Sequence, residues 1–195
     1  MKIRLAALLA CMALSAPLAA QQFDTISFGV DGGYPPFDVL APSGEITGFD
    51  IDIANALCTQ LKAKCVFVKQ PFESMIAALN AHKFDAIIAS LNITDERKKE
   101  VDFTDRYYRS AAQLVARKGS PLLPDVASLK GKTVGVQTGS THEAFAKANW
   151  ANHGVKIVGY ANQDNVYLDL LSGRIDAALQ DNIQAATGFI DTPRG

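Results

Sequence analysis

The chain repeats itself, and the repeat limits what it can fold into. Gly29-Val30-Asp31-Gly32-Gly33-Tyr34 lies over Gly135-Val136-Gln137-Thr138-Gly139-Ser140, and Phe84-Asp85-Ala86 lies over Ile175-Asp176-Ala177. In each half an apolar strand enters a glycine-containing loop, and further on an Asp closes a helix and opens another strand. Two such halves point to two α/β units facing one another. Five residues past each Asp stand Ser90 and Asp181, which this register puts at the carboxyl ends of equivalent strands. Those ends are where open α/β sheets bind ligands. A match this short also arises by chance, so the chemistry of the residues has to support it.

The stretch from Asp85 to Arg97 supplies that chemistry. Asp85-Ala86-Ile87-Ile88-Ala89-Ser90 has the apolar run of a strand covered on both faces. Ser90, Asn92 and Thr94 follow it. Thr94 can cap a helix whose first turn carries Asp95, Glu96 and Arg97. Free N–H groups at a helix start favour an anion, and an arginine fork grips a carboxylate with two parallel bonds. A lone Arg in a first turn is more often a solvated surface residue. Against that stand Asp181 and a second helix start at Thr141 in the other half. Opposite charges facing one another across a cleft suit a zwitterion.

The N-terminus begins with Lys2 and Arg4, continues through apolar Leu5 to Leu14, and reaches small residues at Ala16, Ala19 and Ala20. That order predicts a secretory signal peptide over residues 1–20, with Cys11 as an alternative lipid acceptor. Its removal takes two cations and no acids, so 19 less two leaves 17 Lys and Arg against 20 Asp and Glu, net −3. No basic stripe points to nucleic acid. Cys58 and Cys65 then remain, an even number in an exported chain, which favours a disulfide. The rival, a metal pair, lacks a nearby His.

Periodicity places strands at Thr25–Val30, Cys65–Lys69, Ala111–Arg117, Thr133–Val136, Val155–Tyr160 and Ile175–Leu179. Helices are expected from Ile51 to Lys62, Pro71 to His82, Thr141 to about Trp150 and Asp164 to Leu171.

With these residues assembled, the chain resembles the periplasmic solute-binding proteins of ABC importers, in the polar amino-acid family and its lysine/arginine/ornithine- and histidine-binding branch. The stretches that carry the likeness are Asp31 to Phe37, Gly48 to Asp52, Cys58 with Cys65, Asp85 to Arg97, Phe103 to Asp105, Gly131 to Val136 and Gly173 to Asp181. The resemblance implies a type II periplasmic-binding-protein fold, with lobe 1 at 21–110, lobe 2 at 111–195 and a ligand cleft between them. It implies that Arg97 takes the ligand's α-carboxylate, helped by the backbone at Asn92 and Thr141, while Ser90 and Asp181 take the α-ammonium. Tyr34 and Phe72 would cover the ligand's side chain, Asp31 would face its distal cation, and Leu91 and Gln137 complete the set. Phe72 as a core residue and Asp31 as a brace of its glycine loop are the bland alternatives.

Departures from the branch bear on specificity. Ala89 stands where it commonly has serine, Asn92 where it has serine or threonine, Gln137 where it has leucine and His142 where it has glutamine. Opine-binding relatives also tend to have alanine at the position of Ala89. The resemblance implies a monomeric, cofactor-free and metal-free protein, exported to the periplasm, that hands a basic amino acid or an opine to a membrane permease. It also implies that the family's C-terminal completion of lobe 1 is missing after Gly195, leaving an apolar face uncovered. An enzyme on the same fold, a dehydratase or lyase, would need a general acid or base, for which Asp31, Asp181 and His142 are the candidates. A sensory module of a larger receptor is a third reading.

Overall fold

The computed structural model describes residues 23–194. The signal-peptide reading of residues 1–20 and the Cys11 alternative lie outside the described residues. The first unit opens with β1 (Thr25–Val30), followed by two short hairpin partners, β2 (Gly33–Tyr34) and β3 (Asp38–Leu40), and by β4 (Ile46–Thr47). Then come α1 (Phe49–Leu61), β5 (Lys64–Lys69), α2 (Met75–Asn80) and β6 (Ala86–Ile87). The second unit holds β7 (Ala112–Ala116), α3 (Val126–Leu129), β8 (Thr133–Gln137), α4 (Thr141–Asn149) and β9 (Lys156–Tyr160). It closes with α5 (Gln163–Ser172), β10 (Ala177–Asp181) and α6 (Asn182–Ala185). Residues 101–111 link the two units, without helix or strand.

The sheets repeat one another in order. The first reads β5-β1-β6, all parallel, and the second β9-β8-β10 in parallel, with β7 added antiparallel on the far side of β10. Both are covered on two faces, which is why their strands read as apolar runs rather than alternating ones. In the first, Phe28, Val30, Ile51, Ala54 and Ile88 form one core cluster, and Met75, Ala78, Phe84 and Ala89 the other. In the second, Val166, Tyr167, Leu170 and Ile175 lie in one cluster, and Leu129, Val134, Val136 and Trp150 in the other.

The sequence echo is realised bond for bond. Asp85 accepts the Ser27 N–H at 2.8 Å while its own N–H donates to the Ser27 carbonyl at 2.9 Å. Asp176 does the same with Thr133, at 2.8 and 2.9 Å. Each Asp thus joins a helix exit to the start of the first strand of its own sheet. The glycines match too: a Cβ on Gly29 would meet the Phe84 ring at 2.5 Å, and one on Gly135 would meet Ile175 Cδ1 at 2.5 Å.

Four expectations shift. The last strand runs over Ala177–Asp181 rather than Ile175–Leu179, because Ile175 fills the core under Gly135 and Asp176 makes the clasp with Thr133. The strand expected over Asp85–Ser90 shrinks to Ala86–Ile87 and lies at the edge of its sheet. No full helix follows Thr94: its hydroxyl does accept the Arg97 N–H at 3.2 Å, but only one 3₁₀ turn forms, over Arg97–Lys99. The helix expected from Pro71 begins as a 3₁₀ turn over Phe72–Ser74 and becomes α-helical at Met75. Cys58 and Cys65 are bonded to each other, tying the end of α1 to β5.

The outer edge of β6 has no partner strand among the described residues, whereas the equivalent edge of β10 is paired with β7. A broad groove lies along it, lined by Leu79, Ile87, Leu91, Val101 and Phe103 among others.

If the glycine contacts hold each helix exit to its sheet, Gly135→Ala should cost about 1–3 kcal/mol through overpacking. Trimming the facing side chain should restore part of it. Thermal unfolding of Gly135→Ala alone and with Ile175→Val would show a coupled pair, the double variant melting above the single.

Candidate functional site

The loop after β1 and the loop after β8 face each other, as their positions at the carboxyl ends of parallel strands require. Between them lies a small polar pocket lined by Tyr34, Phe72, Ala89, Ser90 and Asn92 from the first unit. Gln137, Ser140, His142, Gln163 and Asp181 line it from the second.

Several bonds cross from one unit to the other. Gln137 Nε2 donates to Asp31 Oδ2 at 3.0 Å, and the Tyr34 hydroxyl donates to Asp181 Oδ2 at 2.6 Å. The Thr141 hydroxyl donates to Asn92 Oδ1 at 3.2 Å. Arg97 donates through Nη1 to the Asn92 carbonyl at 2.7 Å and through Nη2 to the Gly139 carbonyl at 2.9 Å. Its guanidinium carbon lies 5.8 Å from the centre of the Phe72 ring, a cation–π arrangement. Gly139 has φ of 78°, and a Cβ there would meet Glu73 Cα at 2.7 Å, so the turn that offers this carbonyl needs glycine.

Charge is unevenly distributed around the pocket. Asp31, Asp38, Asp50 and Asp181 are all buried, yet among the described residues none pairs with a lysine or arginine. Arg97 in turn has no carboxylate partner there. Asp181 faces His142 Nε2 at 3.6 Å and also accepts the Ser110 hydroxyl. Asp50 is held by the hydroxyls of Ser90 at 2.9 Å and Tyr107 at 3.0 Å. Asp38 accepts the backbone N–H groups of Asp31 at 3.2 Å and Tyr34 at 3.1 Å.

Burial disfavours the charged form of each group, and the shifts follow. Loss of water pushes the Asp38 carboxyl up to about 7, with Asp31 and Asp50 adding repulsion. Asp31 and Asp50 are raised for the same first reason, against the hydrogen bonds from Gln137 and Ser90. Burial lowers His142, partly offset by Asp181.

Of the residues expected at the site, Tyr34, Phe72, Ser90, Asn92, Gln137 and Asp181 line the pocket. Asp31, Arg97 and Thr141 stand at its edge, joined to it by the cross-unit bonds. Leu91 is turned into the groove beside β6 instead. Phe72 is in none of the core clusters, which removes the bland reading of it. Ser90 has φ of 51°, a left-handed conformation that costs a non-glycine residue on the order of 1 kcal/mol and is typical of binding sites. Asn92 opens no helix, so the backbone help expected from a helix start falls to Thr141 alone, the first residue of α4. Among the described residues no group of three or more His, Cys, Asp or Glu is placed to hold a metal ion.

Sequence reasoning passed over Ser140, Gln163 and the buried pair Asp38 and Asp50, and weighed Ala89 only as a departure that bears on specificity. Asp38 carried a usable signal, an acid inside an otherwise apolar strand; Gln163, at the first turn of α5, carried none.

Residues 26–187 match the sequence profile of the bacterial extracellular solute-binding proteins, family 3. The chain belongs to that family. Over 172 residues it is 48% identical to the lysine/arginine/ornithine-binding periplasmic protein of Escherichia coli, covering 88% of this chain and 66% of that one. Over 170 residues it is 48% identical to the histidine-binding periplasmic protein of Salmonella typhimurium, covering 87% and 65%. The match therefore spans just under two thirds of those relatives' own lengths. Among solved structures, an ancestral arginine-binding protein bound to arginine superposes with a TM-score of 0.81 at 39% identity, over 84% of this chain and 73% of that one. The ancestral amino acid-binding protein AncCDT-1, a precursor of cyclohexadienyl dehydratase, gives 0.78 at 36%, over 84% and 72%. The fold is accordingly the two-lobe, type II binding-protein architecture, and the first and second units are its lobes.

The raised carboxyls set a direction for stability. Asp31, Asp38 and Asp50 keep protons in the folded state at pH values where the unfolded chain, with aspartates near 3.8, has lost them. Folded stability from these groups is therefore greatest in acid and is lost as pH rises; His142, held neutral by burial, works the other way. The Asp38 share, its carboxyl being pushed up to about 7, is lost between about pH 4 and about pH 7, so over that window the midpoint of ligand-free thermal melts should fall more steeply in the unmodified protein than in Asp38→Asn.

Proposed function

We propose that this chain belongs to an extracytoplasmic binding protein that captures a basic amino acid, such as arginine, ornithine, lysine or histidine, for uptake by an ABC importer. The observation that carries the reading is the charge pattern of the cleft: among the described residues Arg97 has no carboxylate partner, while Asp31 and Asp181 at the pocket, and Asp38 and Asp50 behind it, are buried without a paired lysine or arginine. A zwitterion with one further positive charge supplies what both sides lack.

The α-carboxylate goes to Arg97, whose Nη atoms now rest on the carbonyls of Asn92 and Gly139, with the Thr141 backbone at the start of α4 beside it. The α-ammonium goes to Asp181, displacing the Tyr34 hydroxyl, with the Ser90 oxygen as a second acceptor. The side chain lies between Tyr34 and Phe72 and ends at Asp31, where its cation takes the place of the Gln137 amide. The names of the relatives support the same ligand class, since they are described as binding lysine, arginine, ornithine or histidine. An opine, a basic amino acid with an added carboxylate, is the alternative that Ala89 and Gln137 leave room for.

Residues 21–110 and 111–195 serve as the two lobes in this reading, and a membrane permease receives the closed, loaded form outside the cytoplasm. The lobes do the work of enclosure, not of chemistry. Asp31 and Asp181 act as counter-charges rather than as acids or bases, and bound ligand should be recovered unchanged.

A thermal-shift panel of amino acids and opines tests this, because a ligand that binds only the folded state raises the melting midpoint by mass action. The largest shifts are expected from arginine, ornithine, lysine or histidine. Arg97→Ala should weaken every ligand by about 100-fold or more, since it leaves a buried carboxylate unpaired. A neutral or acidic amino acid at the head of the ranking would overturn the assignment.

A further inference from the structure

Asp38 is unusual even within this cleft. It sits in β3 with no exposed surface, is not part of the pocket lining, and has neither a lysine nor an arginine paired with it among the described residues. Its two oxygens accept separate backbone N–H groups, Oδ2 from Asp31 and Oδ1 from Tyr34. One carboxylate thus fixes both ends of the loop that presents Asp31 to one end of the pocket and Tyr34 to its wall. A serine or an amide there would satisfy fewer of those donors, and neither would carry charge.

We propose that Asp38 is a positioning residue that sets the preference for a distal cation. It holds the Asp31–Tyr34 loop and places a second negative charge behind Asp31, so that a positively charged ligand end is favoured over its neutral isostere, increasingly as pH rises. This rests on the reading of the site as one for basic amino acids.

The surroundings of Asp38 decide the sign. Asp31 from its own loop and Asp50 from α1 repel a charge on it, the Tyr34 backbone N–H bonds it, and the Tyr108 hydroxyl lies nearby. Tyr107 and Ser90 are committed to Asp50, Lys69 at the end of β5 acts on Asp31, and on the second lobe Asp181 and His142 lie beyond Tyr34. Desolvation and the two aspartates hold the carboxyl near 7 in the empty cleft. A cation arriving at Asp31 opposes that repulsion and lowers the value, so binding releases a proton. A ligand that lowers a carboxyl's pKa binds more tightly above that pKa than below it. His142, lowered by burial, faces the α-ammonium end through Asp181, which charged and neutral ligands share.

Arginine and citrulline make the test, being nearly the same shape with and without the distal charge. Isothermal titration of the full chain with each, from about pH 5.5 to about pH 8.5, gives the ratio of their affinities. For the unmodified protein that ratio should rise by about tenfold, the change that corresponds to one pKa unit of displacement. In Asp38→Asn the rise should be less than half as large, what remains coming from Asp31 itself, while His142→Gln keeps the full rise; should the asparagine variant not fold, Asp38→Ser takes its place. A ratio that is flat in the unmodified protein, or that climbs equally in the Asp38 variant, overturns the inference while leaving arginine binding intact. If arginine binds at no pH but a neutral amino acid does, the functional reading fails along with it.

Discussion

Charge taken out of water without a partner is what the rest of this structure is arranged to tolerate. Desolvating a carboxylate costs several kcal/mol unless something compensates, and this cleft gathers four of them. Compensation here comes from dipoles: hydroxyls of Ser90 and Tyr107 on Asp50, backbone N–H groups on Asp38, an amide on Asp31, and the Tyr34 and Ser110 hydroxyls on Asp181. Hydrogen bonds of this kind hold a charge in place but do not cancel it. The two sheets, each packed on both faces and clasped by Asp85 or Asp176, are stiff enough to keep these groups from relaxing toward solvent.

The same fact explains why the lobes meet as they do. Among the described residues, the side-chain bonds that cross between the units involve groups that the proposed ligand would also use: Arg97, Asp31, Gln137, Tyr34, Asp181, Asn92 and Thr141. In the proposed reading the Gln137 amide holds the place of a ligand's distal cation and the Tyr34 hydroxyl that of its ammonium. A neutral donor is a weaker partner for a carboxylate than a cation is. On that proposal a cationic ligand's advantage is the difference between its charges and these dipoles.

Much of the scaffold was legible because it depends on local pattern. Apolar runs, glycine loops and the Asp that begins each third strand recur in both halves, and the structure repeats them down to the same backbone bonds. What misled was register and cooperation between distant parts. Ile175 reads as a strand residue by composition, but it is the side chain that fills the space left by Gly135, and pairing starts only at Ala177. Thr94 and the acids after it have the look of a helix start, yet the chain turns once and leaves to cross to the second lobe. At the site, the charged ends Arg97, Asp31 and Asp181 stood out by type. Gln163 and Ser140 did not, since a polar residue in a first helical turn is unremarkable until a facing lobe shuts over it.

Asp38 and Asp50 show why a list of ligand contacts understates a binding site. Neither lines the pocket, yet each determines what the lining residues can offer. Asp50, held by Ser90, fixes a serine whose backbone is in a left-handed conformation; Asp38 fixes the loop between Asp31 and Tyr34. Both deepen the negative potential without themselves being reachable. A potential set from behind acts on any ligand in the cleft, whereas a direct contact acts only on a ligand of the right length. On the proposed function, the lobes would prefer cations as a class while leaving the choice among them to a few direct contacts, where Gln137 and Ala89 depart from the basic amino-acid-binding branch that the sequence resembles.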